Sequence, residues 1–240
     1  LDVDENGLIN LDELEAAIKD TTILISVMMA NNEIGTIEPV AEIGRIAHKH
    51  GVLFHTDAVQ AFCHVPINVT EMNIDMLSAS GHKVGGPKGV GFMYMRRGLK
   101  NKSYLHGGAQ ERGKRAGTTN VPGIIGMAKA AQITSEYMNA HREEMCELRN
   151  YLIERVTTEV PYSLCNGHRE QRLPNNANFC FNFIEGESLL LLLDNKGICG
   201  SSGSACTSAS LDPSHVLLAL GLDHGTAHGS VRFSLDRFNT

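Results

Sequence analysis

The segment Thr22–Ala30 most constrains the fold, because it is almost continuously apolar. A strand has this composition when both of its faces are covered, as in a parallel sheet. Pro39–His50 follows as a predicted helix, with proline near its start and Gly51 just past its end. A second short apolar strand, Val52–His55, comes next. Strand, helix and strand at this spacing predict an α/β fold whose neighbouring strands are parallel.

Further strands and a helix extend the first half of the chain. Ile74–Ser80 and Gly89–Met95 are the next predicted strands of the sheet, and residues 11–19 form a short amphipathic helix. Strand-rich segments of this kind, separated by helices, predict a sheet that is mostly parallel.

The second half of the chain has a different character. Residues 121–160 are predicted to be mostly helical, and we place a domain boundary near residue 135. The elements that follow predict a smaller α+β unit. They are a strand at Ala177–Phe183, a short helix from Glu187, a helix from Pro213 to Leu220 and a strand at Val231–Leu235.

The composition is that of an ordinary globular protein. Apolar residues make up 42% and charged residues 20% of the 240 residues. The net charge of −6 argues against non-specific nucleic-acid binding. The longest apolar stretch, Leu189–Leu193, is too short to span a bilayer. The cysteines form no C-x-x-C pair, so we expect reduced thiols in a cytoplasmic compartment.

Polar segments follow the predicted strands, at the point where each strand ends. They are Asn31–Glu33, His55–Gln60 and Ser80–Lys83. Ligands gather outside the carboxyl ends of strands in open parallel sheets. One polar strand end is routine, but three in series supply an acid, amides, a hydroxyl, an imidazole and a lysine, which together form a candidate site.

A lysine in such a site suggests pyridoxal 5′-phosphate (PLP) chemistry. PLP bonds covalently to a lysine and pairs its pyridinium nitrogen with an acid, roles that Lys83 and Asp57 can fill. Ser80 and His82 can donate hydrogen bonds to its phosphate, and Gln60 can contact its ring oxygen. Taken singly, each has a simpler interpretation, such as a surface lysine, a capping acid or a structural histidine.

The segment Gly200–Ser210 places Cys206 among very small residues. Such a composition is typical of a flexible loop, and an accessible thiol there can act as a nucleophile. The alternative is a serine- and glycine-rich linker with an incidental cysteine.

The first residues match the calcium-loop pattern of EF-hands. The match runs from Asp2 through Asp4, Asn6 and Gly7 to Glu13. No helix precedes it and no second hand pairs with it, so we expect no metal.

Long motifs along the chain resemble the cysteine desulfurases of the NifS/IscS type, in the class-V aminotransferase group of fold-type-I PLP enzymes. The resemblance implies an aspartate aminotransferase-like fold. Residues 1–135 are then the C-terminal part of a large PLP-binding domain, and residues 136–240 are a small α+β domain carrying the Cys206 loop. The resemblance further implies that the stretch from Asp2 to Glu13 is a surface turn, made by Asn-Gly, that leads into a helix. The motifs are ANNEIG, HTDAVQ, SGHKVGGPKGVG, GGAQERGKRAGTTN, EGES, SSGSACTSAS and SVRFSLDRFNT.

The resemblance also implies roles for individual residues and a homodimeric protein. For the cofactor, the resemblance implies that Lys83 attaches PLP covalently, Asp57 pairs with its ring nitrogen, Gln60 contacts its ring oxygen, and Ser80 and His82 bind its phosphate. Thr118 is implied to bind the phosphate in the partner's site. For the substrate, Asn32 and Arg232 are implied to bind the carboxylate, and Cys206 to act as the nucleophile.

The implied reaction takes sulfur from L-cysteine, leaves L-alanine and forms a persulfide on Cys206. That sulfur passes to an acceptor or scaffold protein for iron–sulfur cluster assembly or thio-modification. The alternatives are a selenocysteine lyase-type relative and a non-catalytic fragment or scaffold subunit. The last arises because the resemblance implies that the family's N-terminal third and its C-terminal end are absent. Asp236 also stands where the family usually has glycine.

Overall fold

The computed structural model describes residues 1–100, 102–203 and 212–240. Within these ranges, strands β1–β4 form one sheet and strands β5–β7 form another. In chain order the elements are α1 (Leu11–Ala17), β1 (Leu24–Met28), α2 (Val40–Lys49), β2 (Leu53–Asp57), β3 (Met76–Ser80), a 3-10 helix (Gly81–Val84), β4 (Gly91–Met95), a second 3-10 helix (Gln110–Gly113), α3 (Val121–Glu159), β5 (Ser163–Asn166), β6 (Asn176–Phe181), α4 (Gly186–Asp194), α5 (His215–Ala219), α6 (His224–His228) and β7 (Ser230–Ser234).

The first sheet has its strands in chain order, β1-β2-β3-β4. The predicted parallel pairing is confirmed for β1, β2 and β3, whereas β4 runs antiparallel to β3. The reason is the short connection, because only residues 81–90 separate the two strands. A parallel return needs a crossover of a dozen or more residues.

The two faces of this sheet differ in burial. One face of β2 and β3 is covered by α2, whose apolar residues recur at helical spacing. The opposite face is half-exposed, with an alternating pattern along both strands. The residues of the covered layer are Phe54, Thr56, Leu77 and Ala79 on the strands and Ile43, Ile46 and Ala47 on the helix.

Asp75 joins the elements around the start of β3. Its carboxyl group is fully buried and accepts hydrogen bonds from His48 Nε2 at 3.0 Å and from the backbone N–H of Phe54 at 2.9 Å. Arg96 Nε lies 2.7 Å from the other oxygen, as an ion pair rather than an aligned hydrogen bond. A buried carboxyl group is tolerated only with such partners, so Asp75 fixes the position of β3 against α2.

The second sheet is antiparallel, in the order β5-β6-β7, and β6 is its buried centre. Strand β5 of this sheet and the adjacent helix α6 were not predicted from the sequence. β5 is four residues long and shows no clear alternation. The five-residue α6 depends on its cap, in which Asp223 accepts a hydrogen bond from the backbone N–H of Thr226.

Helix α3 connects the two sheets and passes through the predicted boundary at residue 135. It bends at His141, whose φ of −127° lies outside the helical range. The imidazole of His141 stacks on Tyr137, and its Nδ1 lies 3.0 Å from Glu144 Oε2. The division into domains 1–135 and 136–240 therefore falls within a helix and stays a prediction.

The loop after β1 connects the two halves of the fold through hydrogen bonds. Thr36 Oγ1 accepts one from the backbone N–H of His168 at 3.0 Å, and Ile37 donates its N–H to the carbonyl of Gln171 at 2.9 Å. Asn176 Nδ2 donates to the carbonyl of Glu33 at 3.1 Å. Residues 31–37 are thereby held against the second sheet.

The first residues form the predicted turn. Asp4 Oδ1 accepts hydrogen bonds from the N–H groups of Asn6 and Leu8, both at 2.9 Å, and Val3 pairs with Ile9. Within residues 1–100, 102–203 and 212–240, no three histidine, cysteine, aspartate or glutamate side chains converge as metal ligands. No helix in those ranges combines the length and apolar character needed to cross a membrane.

Candidate functional site

The three polar strand ends lie side by side at one edge of the sheet, as the sequence predicted. Met28, the last residue of β1, is in register with Asp57, the last residue of β2. Asp57 is in turn in register with Ser78 on β3. The segments that follow β1, β2 and β3 therefore begin next to one another at this edge.

Asp57 lies on the half-exposed face of the sheet. Its Oδ1 accepts a hydrogen bond from the backbone N–H of Val59 at 2.9 Å, which fixes the carboxyl group at the strand end. Side chains alternate along a strand, so Ser78 and Ser80 point to the same face as Asp57. Gln60 is half-buried in the turn that follows β2. An acid is thus available on this face.

His55 bridges the three parallel strands beside Asp57. Its Nδ1 lies 2.8 Å from Ser26 Oγ on β1, and its Nε2 lies 2.8 Å from Ser78 Oγ on β3. Burial lowers the pKa of His55, partly offset by the nearby Asp57 carboxylate. The sequence analysis gave His55 no separate role, although it belongs to the motif that contains Asp57.

The segment after β3 brings a hydroxyl, an imidazole and an amine together. Ser80 Oγ lies 2.8 Å from His82 Nδ1, and Lys83 is exposed one residue further along the 3-10 helix. Helix α3 fixes this turn, because Thr134 Oγ1 donates a hydrogen bond to the carbonyl of Val84 at 3.1 Å. The position of Lys83 is therefore set by both β3 and α3.

This donor set fits PLP. The carboxyl group of Asp57 suits a protonated ring nitrogen, the hydroxyl of Ser80 and the imidazole of His82 suit a phosphate, and Lys83 offers the amine. All lie at or just after adjacent strand ends, and the residues on the sheet face that carries Asp57 are half-exposed. The side chains of His82 and Lys83 are exposed, so these donors are accessible to a ligand.

Arg232 reaches the same region from the second sheet. It lies on β7, and its Nη1 donates a hydrogen bond to the backbone carbonyl of Asn32 at 2.8 Å. The predicted pair is therefore in contact, although through the main chain of Asn32 rather than its side chain. A guanidinium held in this way suits a carboxylate ligand.

One other predicted residue, Thr118, does not join the cluster. Thr118 is exposed in the segment before α3 and forms no side-chain hydrogen bond with the described residues. Its predicted place in a partner's site stays a prediction. Cys206 lies outside the described residues, so its role also stays a prediction.

A separate cleft of about 600 Å³ lies between residues 62–67 and helix α3. Burial raises the pKa of Cys63 in its wall to about 11 and lowers that of His64. A thiol with a raised pKa is a poor nucleophile at neutral pH. Among the residues that the structure describes, none of the predicted site residues lines this cleft.

Comparison with known proteins agrees with the fold and the candidate site described above. The family model described as Aminotransferase class-V matches residues 1–240. The cysteine desulfurase IscS of Methanosarcina thermophila is 56% identical over 240 residues, covering 100% of this chain and 59% of that protein. The chain thus spans about three fifths of the length of this curated relative.

Solved structures give the same similarity in three dimensions. A structure named NifS-like protein superposes with a TM-score of 0.90 at 39% identity, covering 100% of this chain and 63% of the other. The structure titled SspA in complex with cysteine superposes with a TM-score of 0.80 at 35% identity, covering 100% and 66%. The α/β fold predicted from the sequence is confirmed.

Proposed function

This chain belongs to the aminotransferase class-V family, and we propose that it is a PLP-dependent cysteine desulfurase. The observation that carries the proposal is the placement of Asp57, Ser80, His82 and Lys83 on adjacent strand ends, with Arg232 held nearby. Its relatives at 50–56% identity are named cysteine desulfurases. Members of the family use PLP, and SspA, one structural neighbour, has been solved with cysteine.

The residues of this chain would divide the work between cofactor and substrate. When bound, PLP supplies an electron-accepting ring that stabilises negative charge developing at the substrate's carbon atoms. Asp57 would keep the ring nitrogen protonated, Gln60 would contact the ring oxygen, and Ser80 and His82 would hold the phosphate. Lys83 would bind the cofactor and then take the proton from the substrate's Cα at its Nζ atom.

Arg232 and Asn32 would bind the carboxylate of L-cysteine. The bond from Arg232 Nη1 to the Asn32 carbonyl fixes one edge of the guanidinium. A fixed planar fork binds a carboxylate with defined geometry, which orients the Cα–H bond and the thiol of the substrate.

Cys206 would be the nucleophile. Its thiolate attacks the substrate sulfur, an S–S bond forms and the C–S bond breaks. The electron pair of the broken bond stays with the substrate carbon, which takes up a proton to give L-alanine, while Cys206 carries a persulfide. We also propose a homodimer in which Thr118 reaches the partner's site, a sulfur acceptor or scaffold protein and a cytoplasmic location.

The test combines cofactor binding with product analysis. The purified protein is mixed with PLP, its visible absorbance is recorded, and L-cysteine is added while alanine and protein-bound persulfide are measured. We expect Lys83→Ala to lose the absorbance of lysine-bound cofactor and the production of alanine. Lys88→Ala is the matched control, because Lys88 is an exposed lysine outside the cluster.

A second pair of variants tests the nucleophile. Cys206→Ser should abolish persulfide formation, whereas Cys199→Ser should retain it, because Cys199 is an exposed thiol that the proposal does not use. Persulfide formation that survives in Cys206→Ser would overturn the assignment. Turnover of selenocysteine without turnover of cysteine would favour the lyase alternative, and absence of PLP binding would favour the non-catalytic one.

A further inference from the structure

The buried carboxyl group of Glu33 binds a residue far along the chain. Glu33 is 2% exposed, and its Oε2 accepts a hydrogen bond from Ser214 Oγ at 2.5 Å, across 181 positions of sequence. Burying a carboxyl group costs free energy unless a donor compensates it. The bond to Ser214 therefore fixes the position of the residue that precedes α5.

Gly203, at the other end of the segment that contains Cys206, lies near the Glu33 carboxyl group. Gly203 precedes the segment that contains Cys206 and has a φ of +54°, a left-handed conformation that glycine adopts easily. A Cβ atom placed on Gly203 would lie 3.5 Å from Glu33 Oε2 and 3.6 Å from Ser214 Cβ. Both described ends of the segment that contains Cys206 therefore converge on Glu33.

The contact between Glu33 and Ser214 lies next to Arg232 and Asn32, the candidate residues for substrate binding. Ser201 exchanges two backbone hydrogen bonds with Arg232, at 3.0 and 2.6 Å. Arg232 in turn donates to the carbonyl of Asn32, the residue before Glu33. Adjacent residues after β1 thus hold the arginine and the ends of the Cys206 segment.

Helix capping alone does not account for this contact. Ser214 caps α5 by accepting a hydrogen bond from the backbone N–H of Val216 at 3.2 Å. That cap uses only the lone pairs of the hydroxyl and leaves its proton available, and the proton goes to Glu33. A capping serine would serve α5 equally well with its proton in water.

We propose that Glu33 is a positioning residue, which through Ser214 fixes one end of the segment that carries Cys206 beside its other end, at Gly203, and beside Arg232. The inference rests on the proposed role of Cys206 as the sulfur nucleophile. Glu33 acts through its hydrogen bond to Ser214, with Gly203 lying beside this pair, and does not touch the substrate. Its contribution is to the geometry of sulfur transfer, since displacement of a reacting group by about 1 Å can cost on the order of 100-fold in rate.

The kinetic test uses variants of the bonded pair in the PLP-loaded protein. Ser214→Ala should lower the rate of persulfide formation about tenfold relative to the wild-type protein. Its KM for L-cysteine and its absorbance of lysine-bound PLP should stay within about twofold of the wild-type values. Ser214→Thr keeps the hydroxyl and should restore the rate. Glu33→Gln keeps an acceptor oxygen, so its rate of persulfide formation should fall less than that of Glu33→Ala.

Two controls separate positioning from loss of a cap or of stability. Asp223→Ala removes the cap of α6, a helix of the same length as α5, and should leave the persulfide rate unchanged. In a double-mutant cycle, Glu33→Ala combined with Ser214→Ala should be no slower than the slower single variant. Additive losses, or an equal loss in Asp223→Ala, would overturn the proposal.

Hydrogen exchange tests the proposal independently of catalysis. Ser214→Ala should speed hydrogen exchange of the backbone amides that flank the Cys206 segment, at Ser201, Ser202, Gly203 and Asp212, about tenfold or more relative to the wild-type protein. Asp223→Ala should leave their exchange unchanged. Unchanged exchange in Ser214→Ala would overturn the positioning role even if the protein is active. A wild-type protein that makes no alanine would instead refute the proposed function, while the exchange result would still decide the role of Glu33.

Discussion

Arg232 donates a hydrogen bond from Nη1 to the backbone carbonyl of Asn32 at 2.8 Å, across 200 positions of the chain. The acceptor is a main-chain atom, so no substitution of the Asn32 side chain removes it directly. The orientation of the guanidinium therefore depends on the path of the loop after β1, and this loop is itself bonded to the second sheet.

Arg232→Lys should raise the KM for L-cysteine. Lysine keeps the positive charge but loses the planar fork, and a hydrogen bond to a charged group contributes about 1.5–3 kcal/mol, or roughly 10- to 100-fold in affinity. Steady-state kinetics measures the change. Arg237→Lys, an exposed arginine nearby in sequence, is the control and should stay within about twofold of the parent. An unchanged KM in Arg232→Lys would contradict the assignment.

Asp57→Asn should weaken PLP binding and slow alanine formation by about 10- to 100-fold, since it removes a charge-assisted hydrogen bond. Asparagine keeps an oxygen that can accept from the Val59 N–H, so the strand end should be preserved. Cofactor titration followed by absorbance measures the affinity. Asp20→Asn, an exposed aspartate outside the site, should behave as the parent. Equal affinities in the two variants would argue against contact between Asp57 and the cofactor.

Gly35→Ala should destabilise the fold more than Gly51→Ala. Both glycines have positive φ, +77° and +69°, so both substitutions introduce a similar backbone strain of about 1 kcal/mol. A Cβ at Gly35 would also lie 2.5 Å from Asn176 Oδ1, whereas a Cβ at Gly51 meets nothing within 4 Å. We expect an additional loss of about 1–3 kcal/mol for Gly35→Ala, measured by urea unfolding. Equal losses would show that the loop after β1 moves freely from the second sheet.

Glu38 should make folding stability fall as the pH rises. Burial raises its pKa to about 7 from an ordinary value of 4.5, while a hydrogen bond from the Ile9 N–H and the nearby Asp4 act as smaller influences. The folded state holds this proton more tightly than the unfolded chain. The stabilisation is therefore complete below about pH 4.5 and is lost as the pH rises through about 7.

Glu38→Gln removes this titration. The difference in unfolding free energy between variant and parent should change by on the order of 1 kcal/mol between pH 5 and pH 8, with the parent losing stability at the higher pH. Urea unfolding at several pH values measures it. A difference that is constant with pH would contradict the raised pKa.

Much of the first sheet and its polar strand ends could be predicted from the sequence, because buried strands and their polar ends leave a local signal. Thr22–Ala30 contains β1, and the polar residues after it, after β2 and after β3 do lie together. The direction of β4 depends on the length of its connection to β3, which the residue pattern within the strand does not encode.

The contacts across the two halves could not be predicted, because they join residues far apart in the chain. Glu33 belonged to a noted motif, yet nothing in that motif indicates Ser214 as its partner. Ser214 shows a local signal only as a helix cap before α5. His55 likewise obtains its two serine partners from neighbouring strands.

The contact between helix α3 and the turn that carries Lys83 restricts how the length of the chain can change in evolution. Met127 lies against Gly81, and Thr134 binds the carbonyl of Val84. An inserted residue between Met127 and Thr134 would rotate one of these side chains relative to the other by about 100°, so that both could no longer reach the turn. The stretch of α3 from Met127 to Thr134 must therefore keep its length if Lys83 is to keep its place, whereas the segment between β4 and α3 is under no such constraint from this contact.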